Sequence, residues 1–309
     1  MELVGYAYAG SGQEWSMKVQ ATKLVTVIGA ARSGTRIVRD TIASHTSVSC
    51  VPYDINYVWK LGSSHIPHDA LEISDISIPQ AEAIRKSILR FKQPDTNWLV
   101  EKTVSNTLRV SFVQQIADPH AYVLVLRHPV DVIESAVRQW QASPDWRQAL
   151  RKLKRYPKGG SFRYLSDYTL ASLRRGRSRS PVAWGPIYPK LSQQIQSGAS
   201  VLELATAQWS SSLVAAVTGF DELRITPQIL HYSDFCQEPE RFADLNRTIG
   251  IPEPTTEALS QVTTSFDGLA THKLDRSSLE YVLDQVEQTL SSLSEGVVSQ
   301  AVLKVAEKW

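Results

Sequence analysis

A short apolar run followed by a loop of small residues constrains the fold of this chain more than any other feature. The segment from Leu24 to Ile28 is rich in β-branched residues, and it ends at Gly29. A helical pattern follows from about Thr35 to Ser44. Backbone N–H groups in such a loop bind anions, helped by the positive end of the following helix. The sequence therefore predicts a phosphate-binding loop between a strand and a helix.

Three further short strands are predicted, and each is apolar throughout rather than alternating. They are Trp98–Val100, Tyr122–Leu126 and Ile229–Tyr232, and helices are predicted over Val130–Trp140 and Glu240–Ile249. Continuous apolar strands are typical of a parallel sheet that is buried on both faces. Strand and helix units in series predict an α/β fold of three layers, with helices on both faces of the sheet.

Ligands of such a sheet bind beyond the carboxyl ends of its strands. Three of the four predicted strand ends carry strongly polar or cationic groups, which is where the chemistry is expected. The residues at the four ends are Gly29–Arg36, Glu101–Thr103, Arg127 and Ser233.

Length and composition favour one large domain. The chain has 309 residues, of which 42% are hydrophobic, enough for a sizeable core. We expect residues 1–22 to be a flexible lead and residues 23–309 to form the domain. Residues 143–198 are rich in proline and glycine and contain the basic cluster Arg174–Arg179. This stretch predicts a helical and loop insertion over the active site, on the acceptor side, and residues 277–308 predict two amphipathic helices.

The overall charge and the cysteines narrow the functional class. The formal net charge is only +2, so no global basic field points to nucleic acid. The two cysteines lie far apart, and a disulfide framework is not expected. The sequence contains no long apolar run that could span a membrane, and no convincing signal peptide. We therefore expect a cytoplasmic protein without a membrane span.

The phosphate loop differs from that of ATP-hydrolysing enzymes. Their motif ends in Gly-Lys followed by Ser or Thr, and the hydroxyl holds Mg²⁺. Here Gly34 is followed by Thr35 and Arg36, so both the lysine and the metal-holding hydroxyl are missing. A cation stands inside the loop instead, at Arg32. Magnesium-dependent ATP chemistry is disfavoured.

The motifs resemble those of sulfotransferases that use 3′-phosphoadenosine-5′-phosphosulfate (PAPS), in particular the bacterial type. Arg32-Ser33-Gly34-Thr35 resembles the family's 5′-phosphosulfate loop. Arg127, with Ser135 eight residues beyond it, resembles the family's 3′-phosphate motif. The resemblance implies a P-loop NTPase-like fold, PAPS as co-substrate, and release of adenosine 3′,5′-bisphosphate (PAP) without a metal.

Weaker similarities extend along the chain. Tyr232 stands where relatives place a residue near the adenine, although a core tyrosine at a strand end is an equal alternative. Lys273 lies where relatives carry a basic loop over the 3′-phosphate, and a solvated surface loop is an equal alternative there. Trp184-Gly-Pro186 and Ala207-Gln-Trp209 also resemble the bacterial group.

Acceptor activation requires a base, and two carboxylates are candidates. The resemblance places Asp54 at the position of an acidic base, with a shorter side chain than the usual Glu. Glu101 and Lys102 resemble the family's Glu-Lys-Thr strand end, where Lys102 points to the bridging oxygen or holds the base ionised. Glu101 either orients Lys102 or is itself the base, and we favour Asp54 for that role. Arg32 is expected to stabilise the charge of the leaving phosphate.

The predicted function is transfer of a sulfuryl group from PAPS to a hydroxyl or amine of an acceptor. The acceptor is expected to be a carbohydrate or a small metabolite. Two alternatives are a P-loop kinase-like enzyme and a non-catalytic nucleotide-binding module. The sequence leaves the acceptor and the oligomeric state open.

Overall fold

A five-stranded parallel sheet organises the computed structural model, which describes residues 22–142, 183–264 and 274–309. The strand order is β2-β3-β1-β4-β5, and every neighbouring pair is parallel. The strands of the described chain are β1 Lys23–Ile28, β2 Val48–Cys50, β3 Trp98–Glu101, β4 Ala121–Leu126 and β5 Gln228–His231.

The order of the strands reverses direction beside the loop after β1. β1 lies at the centre of the sheet, between β3 and β4. The chain leaves β1 toward the β2 edge and leaves β4 toward the opposite edge, at β5. Because the two connections diverge, a ligand-binding crevice is expected at the carboxyl ends of β1 and β4. Ile28 pairs with Leu124, so the loop after β1 begins beside the last residues of β4.

Helices cover both faces of the sheet. They are α1 Thr35–Ile42, α2 Asn56–Trp59, α3 Ile78–Leu89, α4 Val110–Ala117, α5 Pro129–Gln141, α6 Leu191–Gln196, α7 Val201–Leu223, α8 Tyr232–Gln237, α9 Arg241–Ile249, α10 Thr256–Thr264, α11 Arg276–Ser291 and α12 Val297–Ala306. Short 3₁₀ turns occur at Ile73–Asp75 and Val104–Leu108.

Alternate residues of the strands enter two separate apolar cores. In β4, Val123 and Val125 pack with α1 and α9, whereas Leu124 and Leu126 pack with α5 and α7 on the other face. Both sets are buried, which is why the strand reads as a continuous apolar run. The predicted three-layer α/β fold is confirmed.

α7 is the longest helix of the described chain and was not predicted. A capping box between Ser200 and Glu203 starts it, and Arg224 ends it in a left-handed conformation. Its buried side chains pack against α5, α11 and α12. No helix in the described ranges has both the length and the apolar character needed to cross a bilayer.

One predicted boundary requires a correction at the ligand edge. The fourth strand was expected to include Tyr232, but β5 ends at His231 and Tyr232 is the first residue of α8. The chain turns there because Tyr232 packs beneath the phosphate loop rather than continuing the sheet. The division into a lead of 1–22 and a domain of 23–309 stays a prediction. Residues 143–182 of the expected insertion lie outside the described residues, and residues 183–198 contain α6.

Candidate functional site

The loop after β1 has the tight backbone that anion binding requires. The N–H of Ser33 donates to the carbonyl oxygen of Ala30 at 3.1 Å. Arg32 and Gly34 are left-handed, with φ of 77° and 95°. A Cβ on Gly29 would lie 2.9 Å from the carbonyl oxygen of Val125, so only glycine allows this approach to β4.

Tyr232 supports the loop from below. A Cβ on Gly34 would lie 2.3 Å from its ring, and the guanidinium carbon of Arg127 lies 5.2 Å from the ring centroid. Burial, and then the neighbouring Cys236, raise the pKa of the Tyr232 phenol. Tyr232 is thus a buried core tyrosine, which was one of the two interpretations of this residue. Its contact with an adenine stays a prediction.

The two predicted anion motifs meet. Arg32 Nε donates to Ser135 Oγ at 2.9 Å, and Ser135 is in the second turn of α5. Arg127 leaves the end of β4 and lies 3.5 Å from the carboxylate of Asp131, measured from its Nε atom. The loop after β1 and the start of α5 therefore form one continuous cationic surface.

Several guanidinium groups act on this surface together. The pKa of Arg32 is lowered by burial first, and then by the charges of Arg127, Arg138 and Arg36. Cations gathered this closely favour a bound anion, because the anion relieves their mutual repulsion. Arg138 was not among the predicted site residues. Its signal was available, since it follows Ser135 by three residues and therefore shares its helix face.

A buried hydroxyl group in the loop after β1 bears on whether the loop can hold a phosphate ligand. Ser33 is 2% exposed, and its Oγ atom has no hydrogen-bond partner among the residues that the structure describes. Buried polar groups of proteins are rarely left unpaired. A hydroxyl in this position fits a site whose missing partner is an oxygen of the ligand. Thr35, also predicted here, is buried at the start of α1.

The candidate base and its cation are in direct contact. Lys102 Nζ lies 2.7 Å from Asp54 Oδ1, and the N–H of Ile55 donates to Thr103 Oγ1 at 3.1 Å. The Lys102 side chain is 7% exposed, whereas that of Asp54 is 47% exposed. A carboxylate that is both ion-paired and open to solvent can accept a proton from an incoming acceptor.

Glu101 has a different environment. It is completely buried, and its two carboxylate oxygens accept hydrogen bonds from Trp59 Nε1 at 3.3 Å and from Asn106 Nδ2 at 3.2 Å. Burial raises the pKa of this carboxyl group. Of the two candidate bases, the geometry favours Asp54, because only Asp54 has an accessible oxygen.

Some predicted residues cannot be placed. Lys273 and the cluster Arg174–Arg179 lie outside the described residues. The chain is described again from Leu274, whose N–H donates to Glu134 Oε1 at 3.0 Å. Glu134 immediately precedes Ser135, so the chain on the C-terminal side of Lys273 starts beside the predicted 3′-phosphate residues.

The stretches 184–186 and 207–209 are in contact. Gln208 Nε2 donates to the carbonyl oxygens of Trp184 and Pro186, at 2.7 and 2.9 Å. Gly185 between them has a φ of 75°, and a Cβ there would lie 2.9 Å from the same amide nitrogen. α7 thus anchors the residues that follow 143–182.

No family model and no curated protein matches the sequence. The fold is similar to solved bacterial sulfotransferases. One is from Alicyclobacillus acidocaldarius, with 14% identity, a TM-score of 0.49, and coverage of 88% of this chain and 94% of that one.

Two further structures are sulfotransferase domains of larger systems. The domain from the curacin biosynthetic pathway has 12% identity and a TM-score of 0.45, over 86% of this chain and 97% of that one. The domain from the Synechococcus PCC 7002 olefin synthase has 15% identity and a TM-score of 0.43, over 93% and 94%.

Proposed function

We propose that this protein transfers a sulfuryl group from PAPS to a hydroxyl or amine of an acceptor. The observation that carries the proposal is the hydrogen bond between Arg32 and Ser135. It joins the loop after β1 to the helix after β4, with Arg127 beside both. A nucleotide with both a 5′ and a 3′ phosphate group needs two adjacent anion sites of this kind.

Donor binding would divide between the two motifs. The loop residues Arg32–Thr35 and the unpaired Ser33 hydroxyl would hold the 5′ end of PAPS, with Arg36 contributing charge at the start of α1. Arg127 and Ser135 would hold the 3′-phosphate, and Lys273 is proposed to close over it. A charge-assisted hydrogen bond contributes about 1.5–3 kcal/mol, so the set suffices for specific recognition of the nucleotide.

Transfer would use the Asp54–Lys102 pair. Bound PAPS supplies a sulfuryl group, whose bond to the 5′-phosphate oxygen breaks as the acceptor oxygen or nitrogen bonds to sulfur. Asp54 accepts the proton of the acceptor, and the ammonium group of Lys102, which contacts Asp54 Oδ1 at 2.7 Å, orients its carboxylate. Arg32 and the loop N–H groups stabilise the negative charge left on the 5′-phosphate.

The two alternative functions are less well supported. A kinase-like enzyme needs the lysine and the metal-holding hydroxyl that the loop lacks. A non-catalytic nucleotide-binding module has no need for a half-exposed carboxylate paired with a buried lysine at the ligand edge. The contact between Asp54 and Lys102 therefore favours an enzyme.

The acceptor side and the cellular location complete the proposal. We assign acceptor contacts to residues 143–198 and expect a carbohydrate or small metabolite as acceptor. The location is proposed to be the cytoplasm, where Cys50 and Cys236 would stay reduced.

The first test is thermal stabilisation by nucleotides without added metal. PAP at saturating concentration should raise the melting temperature in the presence of EDTA, because only side chains and backbone groups hold its two phosphates. AMP is the matched control and should stabilise less, since it lacks the 3′-phosphate. Stabilisation by Mg-ATP but not by PAP would contradict the proposal. A screen of labelled PAPS against sugars, lipids and phenols would then identify the acceptor.

A further inference from the structure

Asp69 is a buried carboxylate on which three other parts of the chain converge. It is 1% exposed. Its Oδ1 atom accepts a hydrogen bond from Asn56 Nδ2 at 3.0 Å, and its Oδ2 atom accepts from Ser105 Oγ at 2.7 Å. The same Oδ2 atom accepts from the N–H of Ile187 at 3.0 Å, and the N–H of Asp69 donates back to the carbonyl oxygen of Ile187 at 2.7 Å.

Arg109 closes the network from the other side. It is 3% exposed, and it donates to Asn56 Oδ1 at 2.6 Å, to Asn106 Oδ1 at 2.9 Å and to the carbonyl oxygen of Asp69 at 3.4 Å. Burial lowers the pKa of the Arg109 guanidinium to about 10, against the opposing effect of Asp69 and Glu101, so it is a cation at neutral pH.

Asp69 carries the balancing negative charge. Burial raises the pKa of its carboxyl group, but Arg109 and the N–H of Ile187 outweigh burial and lower the pKa overall. The ammonium of Lys60 lies 3.6 Å from Oδ1. A buried ionic cluster of this kind contributes little stability compared with well-packed apolar side chains, because both charges lose their hydration. The cluster matters more for the positions of the residues that it joins.

The network reaches the segment that carries the candidate base. Asn56 is the first residue of α2 and follows Asp54 by two positions. Its side-chain amide is held at both ends, by Asp69 and by Arg109. The preceding N–H, that of Ile55, is held by Thr103. The backbone that carries Asp54 is thus fixed at two successive residues.

We propose that Asp69 and Arg109 are positioning residues: through Asn56 they hold Asp54 against Lys102, and through Ile187 Asp69 docks the segment 183–187 against the same network. The role given to Asp54 rests on the proposed function. The physical link between the base segment and the segment that follows 143–182 stands on the contacts alone. A displacement of a reacting group by about 1 Å costs on the order of a hundredfold in rate, so such a link affects catalysis.

The first variant is Asp69→Asn, which conserves shape and removes one acceptor. Donors face both oxygens of Asp69, so either orientation of the amide directs its NH₂ group at a donor. We expect kcat to fall about tenfold or more. The dissociation constant of PAP should change by less than about twofold, because the donor contacts lie on separate elements.

The second variant exchanges the two polar groups, as Asn56→Asp with Asp69→Asn. The carboxylate at position 56 then accepts from Arg109 and from the new amide at position 69. The oxygen of that amide still accepts from Ser105 and Ile187. The hydrogen bonds with Arg109, Ser105 and Ile187 are satisfied again, and only the contact of Lys60 with Oδ1 is lost, so we expect the exchange to restore most of the lost kcat.

A readout without turnover separates this proposal from the proposed function. Hydrogen–deuterium exchange should be faster in peptides covering 52–60 and 183–190 of Asp69→Asn. The double variant Asn56→Asp with Asp69→Asn should restore the slower exchange of the wild type. Asp221→Asn is the matched control, since Asp221 caps α12 through the N–H groups of Val298 and Ser299. It should lower the melting temperature and leave kcat unchanged.

The possible results separate the positioning role of Asp69 from the proposed function. Normal kcat in Asp69→Asn, or an exchanged pair that regains stability but not kcat, would overturn the positioning role. If Asp69→Asn does not fold, the exchanged pair decides the question by its kcat and its deuterium exchange. A wild-type protein that binds PAP but never transfers a sulfuryl group would instead refute the proposed function. The hydrogen–deuterium exchange rates of Asp69→Asn would then still show whether Asp69 joins the segments 52–60 and 183–190.

Discussion

The Nε atom of Arg32 lies 2.9 Å from the Oγ atom of Ser135, although the two residues are 103 positions apart in sequence. The first belongs to the loop after β1 and the second to the helix after β4. They meet because β1 and β4 are adjacent parallel strands whose connections leave in opposite directions. Two motifs that were predicted separately are therefore adjacent in the structure.

Arg127→Ala should weaken PAP much more than it weakens AMP. The guanidinium at the end of β4 is expected to contact the 3′-phosphate, which AMP lacks. Loss of one charge-assisted hydrogen bond, about 1.5–3 kcal/mol, corresponds to a roughly 10- to 150-fold higher dissociation constant. Isothermal titration calorimetry with both nucleotides measures the difference. Arg90→Ala, at an exposed position after α3, is the control and should affect neither ligand. Equal losses for PAP and AMP would remove the 3′-phosphate assignment.

Gly34→Ala should damage the loop more than Gly198→Ala damages the turn before α7. Both glycines have positive φ, 95° and 84°, so both variants carry the backbone strain of about 1–2 kcal/mol. Only the new methyl group at position 34 would also lie 2.3 Å from the ring of Tyr232, whereas nothing lies within 4 Å at position 198. Chemical denaturation and PAP titration of both variants compare the two effects. If Gly34→Ala bound PAP normally, Tyr232 would not determine the loop conformation.

Asp54→Asn should abolish transfer while PAP binding is retained. The amide cannot accept the proton of the acceptor, and general-base catalysis contributes about 10²- to 10⁴-fold in rate. Labelled-PAPS turnover and PAP affinity are measured on the same preparation. Glu101→Gln provides the comparison. Because Glu101 is completely buried and accepts two hydrogen bonds, this change should mainly lower stability. Full turnover in Asp54→Asn would transfer the role of base to Glu101.

Alkylation of Cys50 should be slow at neutral pH and should accelerate up to about pH 11. Burial raises the pKa of the Cys50 thiol from 9.0 to about 11, so the reactive thiolate appears only as the pH rises toward that value. At pH 8 its thiolate fraction is about a hundredfold lower than that of an unperturbed thiol. Iodoacetamide kinetics in a Cys236→Ala background isolate the reaction. A rate that levels off near pH 9 would show that Cys50 is not shielded from solvent.

The elements that sequence reasoning predicted are those with strong local signals. β1 and β4 are apolar runs buried on both faces, and their observed limits differ from the predicted ones by a single residue. β2 has only three residues, too few for a periodic pattern. α7 was also missed, because it buries residues on several sides and therefore has no clean apolar stripe.

The residues of the site also divide into those with a local sequence signal and those without one. The loop around Arg32 predicted an anion site from its own residues, whereas the assignment of Arg127 and Ser135 came from the family resemblance. Asp69 could not be predicted, because its partner Ile187 is 118 positions away and neither residue belongs to a recognisable motif. The contact between Gln208 and Trp184 was likewise invisible in sequence, although both stretches had been noted.

The sequence by itself determined the strand, the glycine-containing loop and the cation within it, because these depend on local conformational preferences and on residue type. Only the tertiary structure showed how the two candidate carboxylates differ in exposure. Glu101 is enclosed by Trp59 and Asn106, and Asp54 is left half-exposed beside Lys102. The physical reason is that the availability of a carboxylate depends on solvent access and on neighbours that distant segments supply.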